Sequence, residues 1–283
     1  MKKIPFFKFS GAGNDFVLID KKIFPEFDSD PGLINRMTRR GKGIGADGLL
    51  LISDTENYDF RMQYFNADGS EGFLCANGAR CSVKYAAMSG RIQEKAEFIC
   101  CGKNYSAKIN VDGTVTLNLP DAAGLETGLS VPVGKQMVNA TFIDTGARHI
   151  VINSKDLAAT DGILSENNFD NLPVYELGRK IRNLNQFAPE GVNVNFIEIR
   201  DDQINIRTYE KGVEDETLAC GTGSVAAAIV SFLQNKVKTP AVLIPKSQDK
   251  LIVKFDYINQ SIKNISLTGP AELIFAGDYI NNQ

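Results

Sequence analysis

Tryptophan is absent from this chain of 283 residues, histidine occurs once, at His149, and no long apolar or basic run is present. Because a second histidine and a Cys-x-x-Cys pair are both missing, we expect no metal site of the usual His/Cys type. A membrane helix needs about 20 mostly apolar residues, so we expect no membrane span. The net charge of -3 and the lack of Lys/Arg clusters argue against a nucleic-acid partner.

Cysteine occurs five times, an odd number in a long chain, which does not indicate a disulfide framework. The segment Met1–Phe6 lacks the apolar core and the cleavage site of a signal peptide. We therefore expect a cytoplasmic protein whose thiols stay free. Cys81, Cys100 and Cys101 are expected to be small buried hydrophobic residues, the commonest role of free cysteine.

A polar loop followed by a cysteine and a helix-like run occurs twice in the chain. The first copy reads Tyr64-Phe65-Asn66-Ala67-Asp68-Gly69-Ser70, four residues, then Cys75-Ala76-Asn77-Gly78-Ala79-Arg80. The second copy reads Tyr209-Glu210-Lys211-Gly212, a polar run, then Cys220-Gly221-Thr222-Gly223. The two cysteines are 145 residues apart, and at this offset Tyr64 falls on Tyr209 and Gly78 on Gly223.

This period is far too long for a solenoid, so it predicts a duplicated domain with one cysteine in each half. The first domain is predicted at 1–119, completed by a C-terminal strand within 268–283, and the second at 120–267. The segment Pro120–Pro132, rich in Gly, Pro and Ala, is interpreted as the crossing between them. A hairpin is predicted at Asp112-Gly113.

The position of each cysteine just before a helix has chemical consequences. The first N–H groups of a helix have no partner within it, and the helix dipole is positive there. That environment favours thiolate over thiol, and the same N–H groups can bind a carboxylate. Two such helix ends facing each other would hold one carboxylate between two sulfurs. One sulfur could remove a proton from the attached carbon and the other could return one on the opposite face, which inverts the centre without a cofactor.

The lone histidine also has a place in the repeat. His149 follows Gly146 as Asn14 follows Gly11, so the two residues occupy matching turns. A lone histidine is more often a hydrogen-bonded structural residue than a catalyst. Because His149 matches Asn14 in the repeat, both a structural and a catalytic role stay open for it.

The spacing of these motifs resembles the signature of the diaminopimelate epimerases. The similarity extends from Gly11-Ala12-Gly13-Asn14-Asp15-Phe16 to Leu267-Thr268-Gly269-Pro270-Ala271. It implies an α/β (α+β) fold of two pseudo-symmetric domains, each a barrel-like mixed sheet around a central helix, with the active site in the cleft between the domains. It also implies a homodimer that uses neither metal nor pyridoxal phosphate. The implied reaction converts LL-2,6-diaminopimelate to the meso isomer, for lysine and peptidoglycan synthesis.

The resemblance also implies roles for individual residues. Cys75 and Cys220 match the two acid/base thiols, and Glu210 with His149 matches the pair near the reacting amino group. Backbone groups that hold the reacting carboxylate are implied at Ala76, Asn77, Gly221 and Thr222. Side-chain substrate contacts are implied at Asn14, Asn66 and Asn193.

Several positions depart from the family pattern. Ala76 stands where the family has Gly, and Gly146-Ala147-Arg148-His149 stands where the family has a Gly-x-Pro-His run. Lys211 replaces an Arg expected to bind the distal carboxylate, and a Lys cannot form the two-pronged bond of an Arg. We therefore add Lys211 to the predicted substrate contacts. Arg148 is a candidate for the two-pronged bond to the distal carboxylate that Lys211 cannot form.

Two alternatives stay open from the sequence. A related cofactor-independent racemase or epimerase of another amino acid, of the histidine or proline type, would use the same two cysteines. A non-catalytic binding protein for a dicarboxylic amino acid would need the helix ends but not the pair of sulfurs.

Overall fold

The computed structural model describes residues 2–158 and 169–281, and these divide into two compact units. Unit 1 comprises residues 2–118 with 268–281, and unit 2 comprises 119–267 apart from 159–168. Parts of the two predicted domains, at 1, 159–168 and 282–283, lie outside the described residues.

The strands are, in chain order, β1 (Lys2–Gly11), β2 (Asn14–Asp20), β3 (Gly48–Ser53), β4 (Phe60–Asn66), β5 (Lys95–Cys100), β6 (Lys103–Ile109), β7 (Val115–Asn118), β8 (Ala123–Val133), β9 (Gln136–Asp144), β10 (Arg148–Asn153), β11 (Asn193–Arg200), β12 (Gln203–Glu210), β13 (Asp215–Thr217), β14 (Ala241–Pro245), β15 (Leu251–Ile258), β16 (Ser261–Gly269) and β17 (Glu272–Asn281). The α-helices are α1 (Pro31–Thr38), α2 (Ala76–Met88), α3 (Ser154–Ala158), α4 (Val174–Arg182) and α5 (Gly221–Leu233). Single 3-10 turns lie at Phe169–Asn171 and Asn185–Phe187.

Unit 1 is a mixed sheet that wraps around one helix. The strand order is β17-β1-β2-β3-β4-β5-β6-β7, parallel at β2/β3 and β4/β5 and antiparallel elsewhere. Helix α2 contacts strands from across this sheet, from β17 and β1 to β7. Val17, Leu49 and Leu51 face the other side, where they pack with α1 residues such as Ile34. Burial on both faces explains why β2 and β3 are apolar without alternation.

Unit 2 has the same order of pairings. Strands β8-β9-β10-β11-β12-β14-β15 are parallel at β10/β11 and β12/β14 and antiparallel elsewhere, and β13 adds a short antiparallel pairing to β12. Helix α5 contacts this sheet from β9 to β15. Residues Val225–Val230 are all buried, which explains the apolar, Ala-rich sequence on every side of the helix. Helix α4 covers the outer face with Leu177 and Ile181.

The matching pairings confirm the predicted fold class, a mixed α+β architecture with a repeated unit of sheet and central helix. The last strand, β17, pairs with β1 along its whole length. The Asp112-Gly113 hairpin is also confirmed, between β6 and β7.

Two expectations from the sequence were wrong in detail. The segment interpreted as a crossing is largely strand β8, which pairs with β9 and so occupies the place that β17 takes beside β1. Cys101 is exposed and has a φ of 51°, because it lies in the turn between β5 and β6, while Cys81 and Cys100 are buried as expected.

Candidate active site

Each of the two repeated cysteines lies immediately before the central helix of its unit. Cys75 precedes α2 and Cys220 precedes α5, both with extended backbone. Neither sulfur caps its own helix. Cys75 is half-buried and Cys220 is buried. The predicted location of both thiols at a helix N-terminus is therefore what the structure shows, together with the positive end of the helix dipole.

Small residues let these helix ends approach the sheet closely. A Cβ on Gly223 would lie 2.4 Å from Asn195 Oδ1 and 3.3 Å from Cys220 Sγ. A Cβ on Gly78 would lie 2.8 Å from Leu50 Cδ2. Glycine at position 223 is therefore required by packing against the buried amide of Asn195, whereas a Cβ at position 78 would meet the flexible end of the Leu50 side chain.

In unit 1 the sulfur of Cys75 contacts the predicted substrate residue Asn14. The distance from Cys75 Sγ to Asn14 Oδ1 is 3.7 Å, and Asn14 Nδ2 donates to Asp47 Oδ2 at 2.5 Å. A carboxylate can only accept a hydrogen bond, so the amide nitrogen must face Asp47. The amide oxygen therefore faces the sulfur, where it accepts a hydrogen bond from the thiol.

A charged network holds the loop that carries Asn14. Arg40 forms ion pairs with Asp15 at 2.6 Å and Asp47 at 2.7 Å, and Lys8 pairs with Asp15 at 2.6 Å. Lys8 also donates to the carbonyl of Gly45. Burial alone would raise the pKa of the Asp15 carboxyl, but hydrogen bonds from Arg40 and Lys8 outweigh it and keep the pKa below its usual value. Asp15 is thus ionised, and together with Asp47 it fixes the turn.

In unit 2 the sulfur of Cys220 is connected to the histidine through a threonine. Cys220 Sγ lies 3.6 Å from Thr222 Oγ1, and Thr222 Oγ1 lies 3.0 Å from His149 Nε2. The second ring nitrogen, His149 Nδ1, lies 3.1 Å from Asn195 Nδ2. His149 is fully buried, and burial, with the charge of Lys211 as a smaller cause, lowers its pKa to about 3. The imidazole is therefore neutral at neutral pH.

Two further residues tie the second helix end to its strands. Thr145 donates from its hydroxyl to the carbonyl of Thr222 at 2.9 Å. Asn193 donates from Nδ2 to the carbonyl of Arg148 at 3.0 Å and accepts from the backbone N–H of Lys211 at 2.8 Å. Asn193 therefore joins the start of β10 to the loop after β12, in addition to any contact with a substrate.

The structure gives the other predicted side chains definite partners. Glu210 accepts from the hydroxyl of Thr217 at 3.0 Å. Arg148 forms an ion pair with Glu190 at 2.5 Å and lies over the ring of Phe142. The Lys211 side chain is exposed and close enough to His149 to affect its pKa.

In unit 1 the remaining predicted residues form local contacts. Asn66 donates to the hydroxyl of Ser70 at 3.0 Å. Asn77 is buried in the first turn of α2, where its Oδ1 accepts from the guanidinium of Arg80 at 2.8 Å. Ala76 is buried beside it, and its backbone N–H lies at the helix start as predicted.

Sequence reasoning brought together Cys220, Thr222 and His149 but missed the residues that orient them. Asn195 and Asp47 were not predicted as site residues. Asn195 could have been found, because it lies two residues after Asn193 on a strand and therefore points to the same side. Asp47 gave no such signal, since its contact with Asn14 depends on the parallel pairing of β2 with β3.

The described part of the chain contains no helix long and apolar enough to cross a membrane. Among residues 2–158 and 169–281, no three His, Cys, Asp or Glu side chains are grouped so that they could hold a metal ion. Cys81, Cys100 and Cys101 are free thiols.

Comparison with solved structures shows how widely this fold is shared. A probable proline racemase from Agrobacterium radiobacter K84 has a TM-score of 0.72 at 13% identity, over 99% of this chain and 93% of its own. A hydroxyproline epimerase from Agrobacterium vitis also has 0.72 at 13% identity, over 98% and 92%. A PhzF-family phenazine biosynthesis protein from Bacillus anthracis has 0.71 at 14% identity, over 99% and 100%. At such identities the likeness concerns the fold alone.

Sequence comparison is more specific. The family model described as diaminopimelate epimerase matches residues 6–120 and 141–274. The diaminopimelate epimerase of Chlorobaculum tepidum is 39% identical, over 95% of this chain and 98% of its own length. That of Flavobacterium psychrophilum is 36% identical, over 95% and 97%. The chain therefore belongs to the diaminopimelate epimerase family and is an isomerase.

Proposed function

We propose that this enzyme converts LL-2,6-diaminopimelate to meso-diaminopimelate by a two-base mechanism that uses Cys75 and Cys220. The observation that carries the proposal is the equivalent placement of the two thiols, each before the central helix of a repeated unit. The proposal is further supported by the family model and by relatives that bear this name over nearly their whole length. The product would serve lysine and peptidoglycan synthesis.

The chemistry needs one thiolate and one thiol at the start of each turnover. The thiolate takes the proton from the α-carbon, and the electron pair of the C–H bond moves onto the carboxylate. The thiol of the other unit then gives its proton to the opposite face of the same carbon. The enzyme ends with the two ionisation states exchanged, so no other acid or base is consumed.

The main cost is the negative charge that develops on the carboxylate oxygens. Backbone N–H groups at the helix starts, at Ala76 and Asn77 and at Gly221 and Thr222, are proposed to stabilise it. One such preorganised donor is worth about 3 kcal/mol in other enzymes. A positioned general base adds roughly 10²–10⁴-fold, so neither contribution alone accounts for the rate of a typical enzyme.

Substrate recognition is proposed to involve polar side chains around each cysteine. Asn14 and Asn66 belong to unit 1, and Asn193 and Glu210 belong to unit 2. Glu210 and His149 are proposed to lie near the reacting amino group. His149 is linked to Cys220 through Thr222, and Glu210 is the last residue of β12. Since the imidazole is neutral and already hydrogen-bonded, we assign His149 a positioning role. We propose that the carboxylate of Glu210 binds the positively charged amino group of the substrate.

The distal carboxylate of the substrate is proposed to bind the cation of Lys211, and Arg148 is proposed as a second cation for it. Arg148 is engaged by Glu190 in this structure, so its contact with a substrate would require that ion pair to open. The pair is partly exposed, and exposed pairs contribute at most about 1 kcal/mol. A substrate carboxylate could therefore replace Glu190 at small cost.

We also propose that the enzyme is a cytoplasmic homodimer. Cys81, Cys100 and Cys101 are free thiols, which suits a reducing compartment. Strand β17 exposes Leu273, Ile274 and Phe275 consecutively, with 37%, 53% and 48% of each residue exposed. Contiguous exposed apolar residues on a sheet commonly mark an interface between copies of a chain. Sedimentation velocity would test this, and a monomer at micromolar concentration would refute it.

The alternative is a racemase or epimerase of another amino acid with the same two cysteines. Ala147, Arg148 and Lys211 motivate it, because all three depart from the family pattern at the recognition end. The relatives that match over most of the chain are named diaminopimelate epimerases, which favours the first proposal.

The experiment that separates these functions is incubation of the reduced enzyme with LL-diaminopimelate in deuterated water, followed by mass and chiral analysis. We expect one deuterium at an α-carbon together with the meso isomer. Deuterium exchange into proline or histidine, but not into diaminopimelate, would assign a different substrate to the enzyme and would retain the two-thiol mechanism. Binding without exchange into any of these amino acids would refute catalysis and favour a binding protein.

A further inference from the structure

The side chain of Asn195 on β11 has a fixed orientation. It is fully buried, and its Oδ1 accepts from the hydroxyl of Thr208 at 3.0 Å. Its Nδ2 donates to the carbonyl of Ile150 at 2.9 Å and faces His149 Nδ1 at 3.1 Å. The reversed amide would direct its oxygen at the Ile150 carbonyl, so only this orientation satisfies both groups.

This orientation determines which ring nitrogen of His149 carries the proton. Because Asn195 Nδ2 donates, Nδ1 of the neutral ring accepts and Nε2 bears the hydrogen. Nε2–H then donates to Thr222 Oγ1 at 3.0 Å. With its lone pair engaged by the imidazole, the Thr222 hydroxyl can donate its own proton to Cys220 Sγ at 3.6 Å. A donor aimed at sulfur stabilises the thiolate.

The sulfur of unit 1 has a neighbour of the opposite kind. Asn14 Oδ1, which faces Cys75 Sγ, can only accept, because Asp47 fixes the Asn14 amide. An acceptor aimed at sulfur stabilises the thiol and opposes the thiolate. The two units thus repeat the cysteine but present it with opposite hydrogen-bonding groups.

We infer that Asn195 is a positioning residue that sets the His149 tautomer and, through Thr222, keeps Cys220 as the thiolate while Cys75 holds the proton in the free enzyme. This inference rests on the proposed two-thiol function and specifies its resting state. It makes Cys220 the base for whichever stereoisomer presents its α-proton to that sulfur. Before the enzyme can act on the other isomer, Cys75 must lose its proton and Cys220 must gain one.

A merely structural Asn195 would satisfy the Ile150 carbonyl and do nothing else. The first test reads the tautomer directly by ¹⁵N NMR of histidine-labelled enzyme, without substrate, at neutral pH. The chain has one histidine, so every imidazole signal belongs to His149. We expect a bare Nδ1 and a protonated Nε2. The opposite tautomer, or an imidazolium, would overturn the inference.

The second test measures alkylation of each cysteine by iodoacetamide, with peptide mass spectrometry to separate the sites. Cys220 is the more buried sulfur, yet we expect it to react faster than Cys75, because the thiolate is the nucleophile. Faster reaction at Cys75 would refute the assignment of the charge.

The variant Thr222→Val removes the hydroxyl that faces Cys220. It should slow alkylation of Cys220 about tenfold, which is the effect of one hydrogen bond to a charged group. Thr222→Ser should restore the rate to within about twofold.

The third test removes the orienting amide. Asn195→Leu should lower the fraction of Nε2–H tautomer and slow alkylation of Cys220 about tenfold, with Cys75 unchanged. Asn139→Leu, at an exposed position of β9, is the matched control and should leave both rates as they are. Unchanged tautomer and rate in Asn195→Leu would show that the residue is only structural. If Asn195→Leu fails to fold, the ¹⁵N spectrum of the wild type and the variants Thr222→Val and Thr222→Ser still test the inference. An unchanged alkylation rate of Cys220 in Thr222→Val would refute the link from His149 through Thr222 to Cys220. None of these readouts needs epimerase activity, so this inference can fail while the proposed function stands.

Discussion

The buried histidine predicts a specific loss of stability on mild acidification. His149 is fully buried and its pKa is lowered to about 3, whereas a histidine in an unfolded chain has a pKa of about 6.5. Between these values the unfolded chain binds a proton that the folded chain does not. The free energy of unfolding therefore falls as the pH is lowered through this window, and it is recovered above about pH 6.5.

The magnitude follows from the two pKa values. Lowering the pH from about 7 to about 5 protonates the histidine of the unfolded chain almost completely and leaves His149 of the folded chain neutral. The linkage relation then gives a loss of about 2 kcal/mol from this one residue. Carboxylates such as Asp15, whose pKa is lowered, contribute mainly below this range, because their unfolded pKa values are near 4.

Urea unfolding at the two pH values measures the effect, with His149→Gln as the control variant. Glutamine is neutral throughout, so the variant should lose the histidine contribution and depend less on pH, whatever its absolute stability. The ¹⁵N signal of the single imidazole should also show no protonation of the folded enzyme near pH 5. Equal pH dependence of wild type and variant would refute the reasoning.

Further predictions concern activity and packing. Cys75→Ser and Cys220→Ser should each reduce epimerisation at least about 100-fold in both directions, because a hydroxyl is a far weaker base than a thiolate, and near-normal turnover in either would refute the two-thiol scheme. Gly178→Ala should destabilise unit 2 by about 1–3 kcal/mol in urea, because its Cβ would lie 2.2 Å from the Cβ of Tyr209, and an unchanged midpoint would contradict this packing. Lys211→Arg should lower KM for diaminopimelate about tenfold with little change in kcat, since a two-pronged bond replaces a single one. An unchanged KM would place the distal carboxylate elsewhere.

Parts of the fold and of the site were accessible from the pattern of residues alone. The repeat of Cys75 at Cys220 predicted a duplicated unit, and the pairing of the strands in each unit confirms it. The turn residues Asp112-Gly113 located the hairpin between β6 and β7, because such a signal is local in the chain. The segment at 123–133 was misjudged, because its role as strand β8 depends on pairing with β9 rather than on its own composition.

The sequence by itself determined which chemical groups are present and where each one falls relative to a helix start. It could not determine what faces each sulfur. Asn14 presents an oxygen to Cys75 only because Asp47, across a parallel strand pairing, takes its nitrogen. Thr222 can present a proton to Cys220 only because Asn195 orients His149. Hydrogen-bond direction depends on partners that are distant in the chain, so only the tertiary structure makes two similar cysteines different.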